Sequence, residues 1–221
     1  MNLFVNRKNW LVSLPALMLV MLCAAFNLAH ADDQRSPDQV VRSVAGDLLA
    51  DLNKNREQYR KDPVLLHKLI DKYFLTNFDT EYAVRRVLAR HWREATPDQR
   101  KQFIDAFYQS LVNNYGEAIL DFTADRLNIL PYKGDPGDTN ATVRSEIRRS
   151  NGTIVPVNYT LHKTDAGWKA WDVVIEGVSY VKSFQTDFAT EIDQKGLDAV
   201  IKRLQEQVKC GASSSSKARS S

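Results

Sequence analysis

The chain is poor in cysteine, and this limits how the fold is stabilised. Of 221 residues only Cys23 and Cys210 are cysteines. Cys23 falls within the N-terminal leader described below, so Cys210 has no partner in the mature domain and folding must depend on packing alone. The bulky Leu22 before Cys23 also argues against a lipoprotein signal, in which a small residue precedes the lipidated cysteine.

The signatures of common enzymes are also absent. The sequence has no G-x-S-x-G, H-E-x-x-H or C-x-x-C motif and no glycine loop for phosphate. His91 and Glu94 are one helical turn apart, but two side chains do not make a metal site. The best acid/base candidates, Asp172 and Glu176, are predicted to have structural roles at the end of a strand. An enzyme that uses one of them as general base in an apolar pocket is the alternative hypothesis.

The N-terminus differs from the rest of the chain in its charge and hydrophobicity. Arg7 and Lys8 precede an uncharged apolar run from Leu11 to Ala29, and Ala29-His30-Ala31 has small residues where signal peptidase cleaves. We therefore predict a signal peptide over residues 1–31, cleaved near Ala31, and a periplasmic location. Without Arg7 and Lys8 the formal charge falls from +3 to about +1, which argues against nucleic-acid binding. A scaffold anchored by an uncleaved leader is a further alternative.

The first half of the mature chain has helical periodicity. Ser36-Pro37 and Asp62-Pro63 are helix starts, and a third helix is predicted to run to about Glu94. Thr96-Pro97-Asp98-Gln99 is a capping box that opens a long aromatic-rich helix. Its apolar positions continue to Phe122, with Gly116 as a weak point.

The apolar period then changes from 3.6 to 2, which predicts strands. Alternation between Thr139 and Arg149, the Asn151-Gly152 turn and the following alternation to His162 indicate a hairpin. Pro156 favours an edge position or a bulge. A further strand is predicted over 168–175 and an earlier one over 126–132. This gives an α+β fold with a twisted four-stranded antiparallel sheet, and helices packed on its concave face.

The helical period returns at Val178, and a last helix follows Gly196. The mature chain is therefore predicted to be a single domain over residues 32–208, with a helical N-terminal part. Residues 209–221, which are rich in serine, are predicted to form a disordered tail.

Three ordered motifs carry a family resemblance that extends over about residues 36–205. They are Ala95-Thr96-Pro97-Asp98-Gln99-Arg100, continuing to Tyr115-Gly116-Glu117-Ala118; the segment from Trp168 to Ser179, which includes Glu176-Gly177-Val178-Ser179; and Lys195-Gly196-Leu197-Asp198. They resemble the MlaC, or toluene-tolerance, family of periplasmic phospholipid-binding proteins. The tail with Cys210 lies outside the resemblance.

The resemblance implies an NTF2-like or cystatin-like fold and a pocket that holds a phospholipid by its acyl tails and leaves the headgroup near solvent. It implies a monomeric carrier rather than an enzyme, with phospholipid as cargo and no cofactor. Its expected partners are an outer-membrane lipoprotein–porin complex and an inner-membrane ABC transporter with an MCE-domain subunit. The pocket is predicted to be lined by inward-facing apolar residues of helices and strands: Tyr82, Leu88, Phe103, Phe107, Leu111, Tyr115, Val143, Ile147, Val157, Tyr159, Val173, Ile175 and Val178.

Overall fold

A computed structural model of the chain describes residues 35–217. The predicted signal peptide lies outside the described residues. Seven α-helices occur in the described part: α1 (Pro37–Lys61), α2 (Pro63–Asn77), α3 (Thr80–Leu88), α4 (Arg90–Glu94), α5 (Pro97–Tyr115), α6 (Tyr180–Lys195) and α7 (Leu197–Lys217). Within residues 35–217, none of these helices is long and apolar enough to span a bilayer.

The strands form one antiparallel sheet in chain order, which confirms the α+β class. They are β1 (Leu127–Ile129), β2 (Asn140–Arg148), β3 (Ile154–Thr164), β4 (Gly167–Ile175) and β5 (Val178–Ser179). The predicted count of four strands is wrong because β5 is a fifth. With only two residues, β5 is too short to show an alternating pattern.

The connection between β4 and β5 explains how the fifth strand forms. Glu176 and Gly177 both have positive φ, 51° and 84°, the requirement of a two-residue type I′ hairpin turn. Asn, Asp and Gly are preferred at the first position of this turn and glutamate is not, so Glu176-Gly177 gives no clear hairpin signal in the sequence. The helical period predicted from Val178 begins at Tyr180, where the Ser179 hydroxyl accepts a hydrogen bond from the Lys182 amide at 3.1 Å.

The long aromatic helix begins where the sequence predicts and ends early. The Thr96 hydroxyl accepts a hydrogen bond from the Gln99 amide at 3.2 Å, and the Gln99 side chain accepts one from the Thr96 amide at 2.9 Å. At Gly116, however, α5 passes into a 3₁₀ helix, Gly116–Asp121. A Cβ at Gly116 would lie 2.9 Å from Cδ1 of Ile70, so this glycine allows α2 to pack closely.

Two further predictions on the elements need correction. The third helix does not run unbroken to Glu94, because Ala89 adopts a left-handed conformation with φ 48° and separates α3 from α4. Pro156 lies on β3, an inner strand, and the bulge is at Thr160/Leu161 instead. Since the β3–β4 ladder ends at Val157, Pro156 lies beyond the residues that pair with β4, and its missing N–H interrupts no hydrogen bond there.

Rows of cross-strand neighbours define the face of the sheet that the helices cover. From one end to the other, the rows are Ile147–Val155, Ser145–Val157–Ile175, Val143–Tyr159–Val173 and Ala141–Leu161–Ala170. Paired residues in an antiparallel sheet share a face. Helix α1 packs on the last of these rows through Val40, Val41 and Val44. A second core lies among α3, α5, α6 and α7.

The last helix extends beyond the predicted domain boundary at residue 208 and continues to Lys217. Serine is only moderately unfavourable in a helix, and the single Gly211 costs about 1 kcal/mol. The serine-rich composition therefore does not stop the helix where a loop was expected.

Candidate functional site

A cavity of about 380 Å³, cavity A, lies between the sheet and four helices. Its wall is made almost entirely of aliphatic and aromatic side chains. Phe107, Leu111 and Tyr115 are spaced by four residues along α5 and so lie on one face of that helix. The other lining residues are Ile70, Phe74, Phe78, Thr80, Ala83, Val84, Val87, Tyr108, Val112, Gly116, Ile119, Asp172, Val173, Ile175, Tyr180, Val181 and Phe184.

The two buried polar side chains in the wall of cavity A, Asp172 and Tyr108, are hydrogen-bonded within the protein. Asp172 is 4% exposed, and its carboxylate accepts hydrogen bonds from the Ser179 hydroxyl at 2.6 Å and from the Val181 amide at 3.1 Å. It thereby holds the N-terminus of α6 against β4. The Tyr108 hydroxyl donates to Asp71, and burial, together with this hydrogen bond, raises the pKa of Tyr108. The hydrogen bonds of Asp172 and Tyr108 therefore connect parts of the fold to each other.

A second apolar cavity of about 270 Å³, cavity B, lies beside the first, under α1. The two cavities share five lining residues, Ile70, Phe74, Phe78, Ile119 and Val173. The Phe74 and Phe78 rings are stacked with centroids 4.4 Å apart. The remaining wall of cavity B is made of Val40, Val41, Val44, Ala45, Leu48, Tyr73, Asn77, Tyr159, Leu161 and Ala170.

A third, larger depression of about 840 Å³, which we call the arginine groove, adjoins cavity A at Ile175. Its apolar residues are Ala118, Leu120, Phe122, Ile147, Val155, Val157 and Ile175, and its polar residues are Arg56, Arg60, Asp121, Thr123, Arg126, Arg148, Arg149 and Ser150. Five of the fifteen lining residues are therefore arginines, against a single aspartate.

The three spaces follow one another along the helix-covered face of the sheet. The arginine groove contains Ile147, Val155, Val157 and Ile175, cavity A contains Ile175 and Val173, and cavity B contains Val173, Tyr159, Leu161 and Ala170. This is the order of the cross-strand rows given above. The site is thus cationic at one end and apolar along the rest of its length, which suits an amphipathic ligand.

Eight of the thirteen residues predicted to line the pocket do line one of the three spaces. They are Phe107, Leu111, Tyr115, Ile147, Val157, Tyr159, Val173 and Ile175. Among them, Tyr115 is 58% exposed, so it lies at an opening of cavity A. Tyr159 is partly buried, and the loss of solvent around its hydroxyl raises the pKa of that group.

The other five predicted residues line none of these spaces. Leu88, Phe103 and Val143 are packed in the core, with at most 1% exposure. Phe103 contacts Phe188 edge-on, with ring centroids 5.1 Å apart, because the N-terminal half of α5 packs on α6 and α7. Tyr82 contacts the tilted ring of His162 and the edge-on ring of Trp171, with ring centroids 4.3 and 5.5 Å away. Val178 is 55% exposed on β5.

Sequence reasoning missed the part of the site that α1, α2, α3 and α6 contribute. The missed residues include Val44, Ile70, Phe74, Ala83 and Phe184. Apart from Ala83, they belong to the apolar faces of helices that the sequence predicts. Periodicity shows that a face is apolar but does not distinguish a packed core from a cavity wall.

The candidate carboxylates and histidines are separated in the fold. Glu176 is exposed in the β4–β5 turn. His91 is 7% exposed, with Nδ1 lying 3.2 Å from Glu94 and Nε2 lying 3.3 Å from Asp193. Among residues 35–217 no group of three or more His, Cys, Asp or Glu side chains is arranged to hold a metal ion.

Comparisons with known proteins agree on one family. The model of the MlaC protein family matches residues 42–206. The toluene tolerance protein ttg2D of Pseudomonas putida is 31% identical over 181 residues, which is 81% of this chain and 83% of that protein. The intermembrane phospholipid transport system binding protein MlaC of Haemophilus influenzae is 24% identical over 93% of this chain and 95% of its own length.

A solved structure supports the same fold. The phospholipid-binding protein from Ralstonia solanacearum, determined in complex with a phospholipid, has a TM-score of 0.73 and 24% sequence identity, covering 80% of this chain and 99% of that one. The family match extends over most of the domain that contains all three spaces. The chain therefore belongs to the MlaC family.

Proposed function

We propose that this protein is a phospholipid carrier that holds acyl tails in cavities A and B. The observation that carries the proposal is the adjacency of the two cavities, which share Phe74, Phe78 and Val173 in their largely apolar walls. A family whose members include an intermembrane phospholipid transport binding protein supports it. We place the carrier in the periplasm, where it exchanges lipid with an outer-membrane lipoprotein–porin complex and an inner-membrane ABC transporter with an MCE-domain subunit.

Physical chemistry explains why such a carrier is needed and what it must provide. Two acyl chains contain roughly 30 methylenes, and their exposure to water costs on the order of 20 kcal/mol. A carrier must offer a dry site that is about as apolar as the membrane interior. The free energy of transfer from membrane to protein is then close to zero, and transfer is reversible. This task needs no nucleophile, metal or proton transfer. The walls of cavities A and B meet this requirement.

The test is native mass spectrometry of the full chain purified under mild conditions, followed by organic extraction. We expect complexes whose added mass corresponds to phospholipid, and phospholipid in the extract. A small polar metabolite in place of lipid would favour the enzyme alternative, and an empty protein would favour a scaffold with no cargo. Protein recovered from the periplasm with Asp32 as its first residue would support the location and the predicted cleavage.

A transfer assay extends the test to transport. Donor vesicles with a fluorescent phospholipid and acceptor vesicles without it are mixed, and the rate of transfer is measured with and without protein. We expect the rate to increase with protein concentration, because a carrier shortens the aqueous step that limits spontaneous transfer. A protein that binds lipid without accelerating transfer would contradict the carrier function.

A further inference from the structure

The arginine groove combines an apolar floor with a cationic rim. Val155 and Val157 are buried on the floor, whereas Arg60, Arg148 and Arg149 are exposed at the rim. An amphipathic ligand that enters cavity A beside Ile175 would have its polar end in this groove, because Ile175 lines both spaces.

The arginines of the groove differ in how far their charges are already satisfied. The Arg56 guanidinium donates hydrogen bonds to the carbonyl oxygens of Leu120 and Phe122, the latter at 2.8 Å, and so holds the 3₁₀ segment in place. Arg60 lies 3.3 Å from Glu57 at the surface. Within the described part of the chain, Arg148 and Arg149 have no carboxylate within ion-pair distance.

Two carboxylates oppose this positive charge without cancelling it. Asp121 lines the groove and is exposed. Asp125 lies near Arg126 and Arg148, and the neighbouring Thr123 hydroxyl, followed by these two positive charges, lowers the pKa of its carboxyl. With Glu57, which pairs with Arg60, five arginines face three carboxylates, so positive charge is in excess in the groove.

We infer that the arginine groove makes the carrier select phospholipids with a net negative headgroup, of the phosphatidylglycerol type, over zwitterionic ones. The inference rests on the proposed function. Both lipid classes carry a phosphodiester that a guanidinium binds well. A zwitterionic headgroup adds an ammonium or choline cation, which Arg126, Arg148 and Arg149 repel, whereas a glycerol headgroup adds none.

Competition within a single vesicle population tests the selection. The full chain is incubated with excess vesicles containing equal amounts of phosphatidylglycerol and phosphatidylcholine with identical acyl chains, then separated from them and extracted. Because both lipids share the same vesicle, electrostatic attraction to the membrane is common to both. We expect phosphatidylglycerol to be enriched about threefold or more in the bound fraction at low salt, and less at 0.5 M NaCl, where screening shortens the reach of exposed charges.

The decisive variant is Arg148→Gln/Arg149→Gln, which removes the two unpaired rim charges. We expect its enrichment to fall towards one, because phosphatidylglycerol should be lost from the bound fraction more than phosphatidylcholine. The matched control is Arg93→Gln/Lys101→Gln, which also removes two exposed cations but from positions that line none of the three spaces. The control should keep the enrichment of the unmodified protein.

Three outcomes would overturn the inference. One is equal amounts of the two lipids on the unmodified protein, and another is undiminished enrichment in the Arg148→Gln/Arg149→Gln variant. The third is parallel loss of both lipids in that variant, which would show a role in lipid retention without selection. In all three the unmodified protein still binds lipid, so the carrier function stands. Recovery of no lipid on the unmodified protein would instead contradict the carrier function itself.

Discussion

At the residue scale, Val178 links the exposed surface to the lipid cavities. It pairs with Ile175 across the β4–β5 hairpin, so both side chains lie on the face of the sheet that the cavities occupy. Val178 is 55% exposed and the neighbouring Tyr180, which lines cavity A, is 39% exposed. This position is consistent with an opening of cavity A, although Val178 itself lies outside the cavity wall.

We predict that Val178→Glu empties the site and spares the fold. A carboxylate at an opening must be desolvated when an acyl chain passes beside it, which costs several kcal/mol. Because Val178 is exposed, the free energy of unfolding should change by no more than about 0.5 kcal/mol. Thermal unfolding and extracted phospholipid are measured on the same preparation.

Ile154→Glu is the matched control for this experiment. Ile154 is also an exposed apolar strand residue, 54% accessible, but it lines none of the three spaces. It should retain its lipid. If Val178→Glu retained as much lipid as Ile154→Glu, Val178 would have no role at the opening.

Asp172 illustrates how a buried carboxylate in a cavity wall can have a structural role. Asp172→Asn should lower the free energy of unfolding by about 1–2 kcal/mol, because it weakens two charge-assisted hydrogen bonds to Ser179 and Val181. Bound phospholipid should be nearly unchanged. Urea unfolding and lipid extraction test this, with the exposed Glu176→Gln as a control that should change neither quantity. A folded, lipid-loaded Asp172→Asn protein without transfer activity would show a chemical or docking role instead.

At the element scale, a two-point ion pair joins α6 to α7. The Arg203 guanidinium donates to both oxygens of Glu191, at 2.8 and 2.6 Å. Hydrogen bonding from Arg203, with its positive charge, lowers the pKa of Glu191 below its usual value of 4.5. The Arg203 side chain is 37% exposed, so solvent screening limits the stabilisation to about 0.5–1 kcal/mol.

The Glu191–Arg203 pair should make stability depend on pH in an acidic range. Since the folded state lowers the pKa of Glu191, the contribution is complete well above pH 4.5 and is lost as the pH falls through the lowered value. At pH 7 the free energy of unfolding of Arg203→Gln should therefore be lower than that of the unmodified protein by about 0.5–1 kcal/mol. The difference should shrink as the pH falls below 4.5 and through the lowered pKa of Glu191. Lys195→Gln is the control, because Lys195 lies 3.5 Å from Glu191 and is 59% exposed. A difference independent of pH would assign the effect to packing.

The elements also show how far the sequence determines the structure. Caps and turns act within a few residues, so the start of α5 and the β2–β3 hairpin were predicted correctly. β5 escaped prediction because its turn uses a glutamate with positive φ. The lipid site was only partly predicted, because whether Phe74 packs in a core or lines a cavity depends on the spacing of α1, α2 and the sheet. That spacing is a tertiary property that no local pattern contains.

The C-terminal part of α7 is predicted to be dispensable for lipid binding. Among the side chains of this helix that the structure describes, Leu197 to Lys209, the buried ones are Val200, Ile201 and Leu204. A chain ending at Lys209 should therefore keep its bound phospholipid. Its free energy of unfolding should differ from that of the full chain by no more than about 0.5 kcal/mol. Lipid extraction and chemical unfolding compare the two. Loss of lipid on truncation would show that residues 210–221 contact the cargo or cover an opening.

At the scale of the whole molecule, the lipid site lies between parts of the core. Cavity A opens beside the core of α3, α5 and α6, and cavity B lies between the sheet and α1. In most proteins such volumes are filled by side chains. Here the cargo would fill them, so binding and folding should be thermodynamically linked.

Removal of lipid should therefore destabilise the whole domain. A ligand present at 100 to 1,000 times its dissociation constant stabilises a protein by about 3–4 kcal/mol. For a domain of this size, that corresponds to a fall in Tm of roughly 10 °C on stripping. Differential scanning calorimetry of lipid-loaded and stripped protein measures the change. Addition of phospholipid vesicles should restore the original Tm, whereas glycerol 3-phosphate, which offers a headgroup without tails, should not. An unchanged Tm after complete removal of lipid would contradict acyl-chain binding within the core, because a ligand that fills cavities A and B must stabilise the folded state.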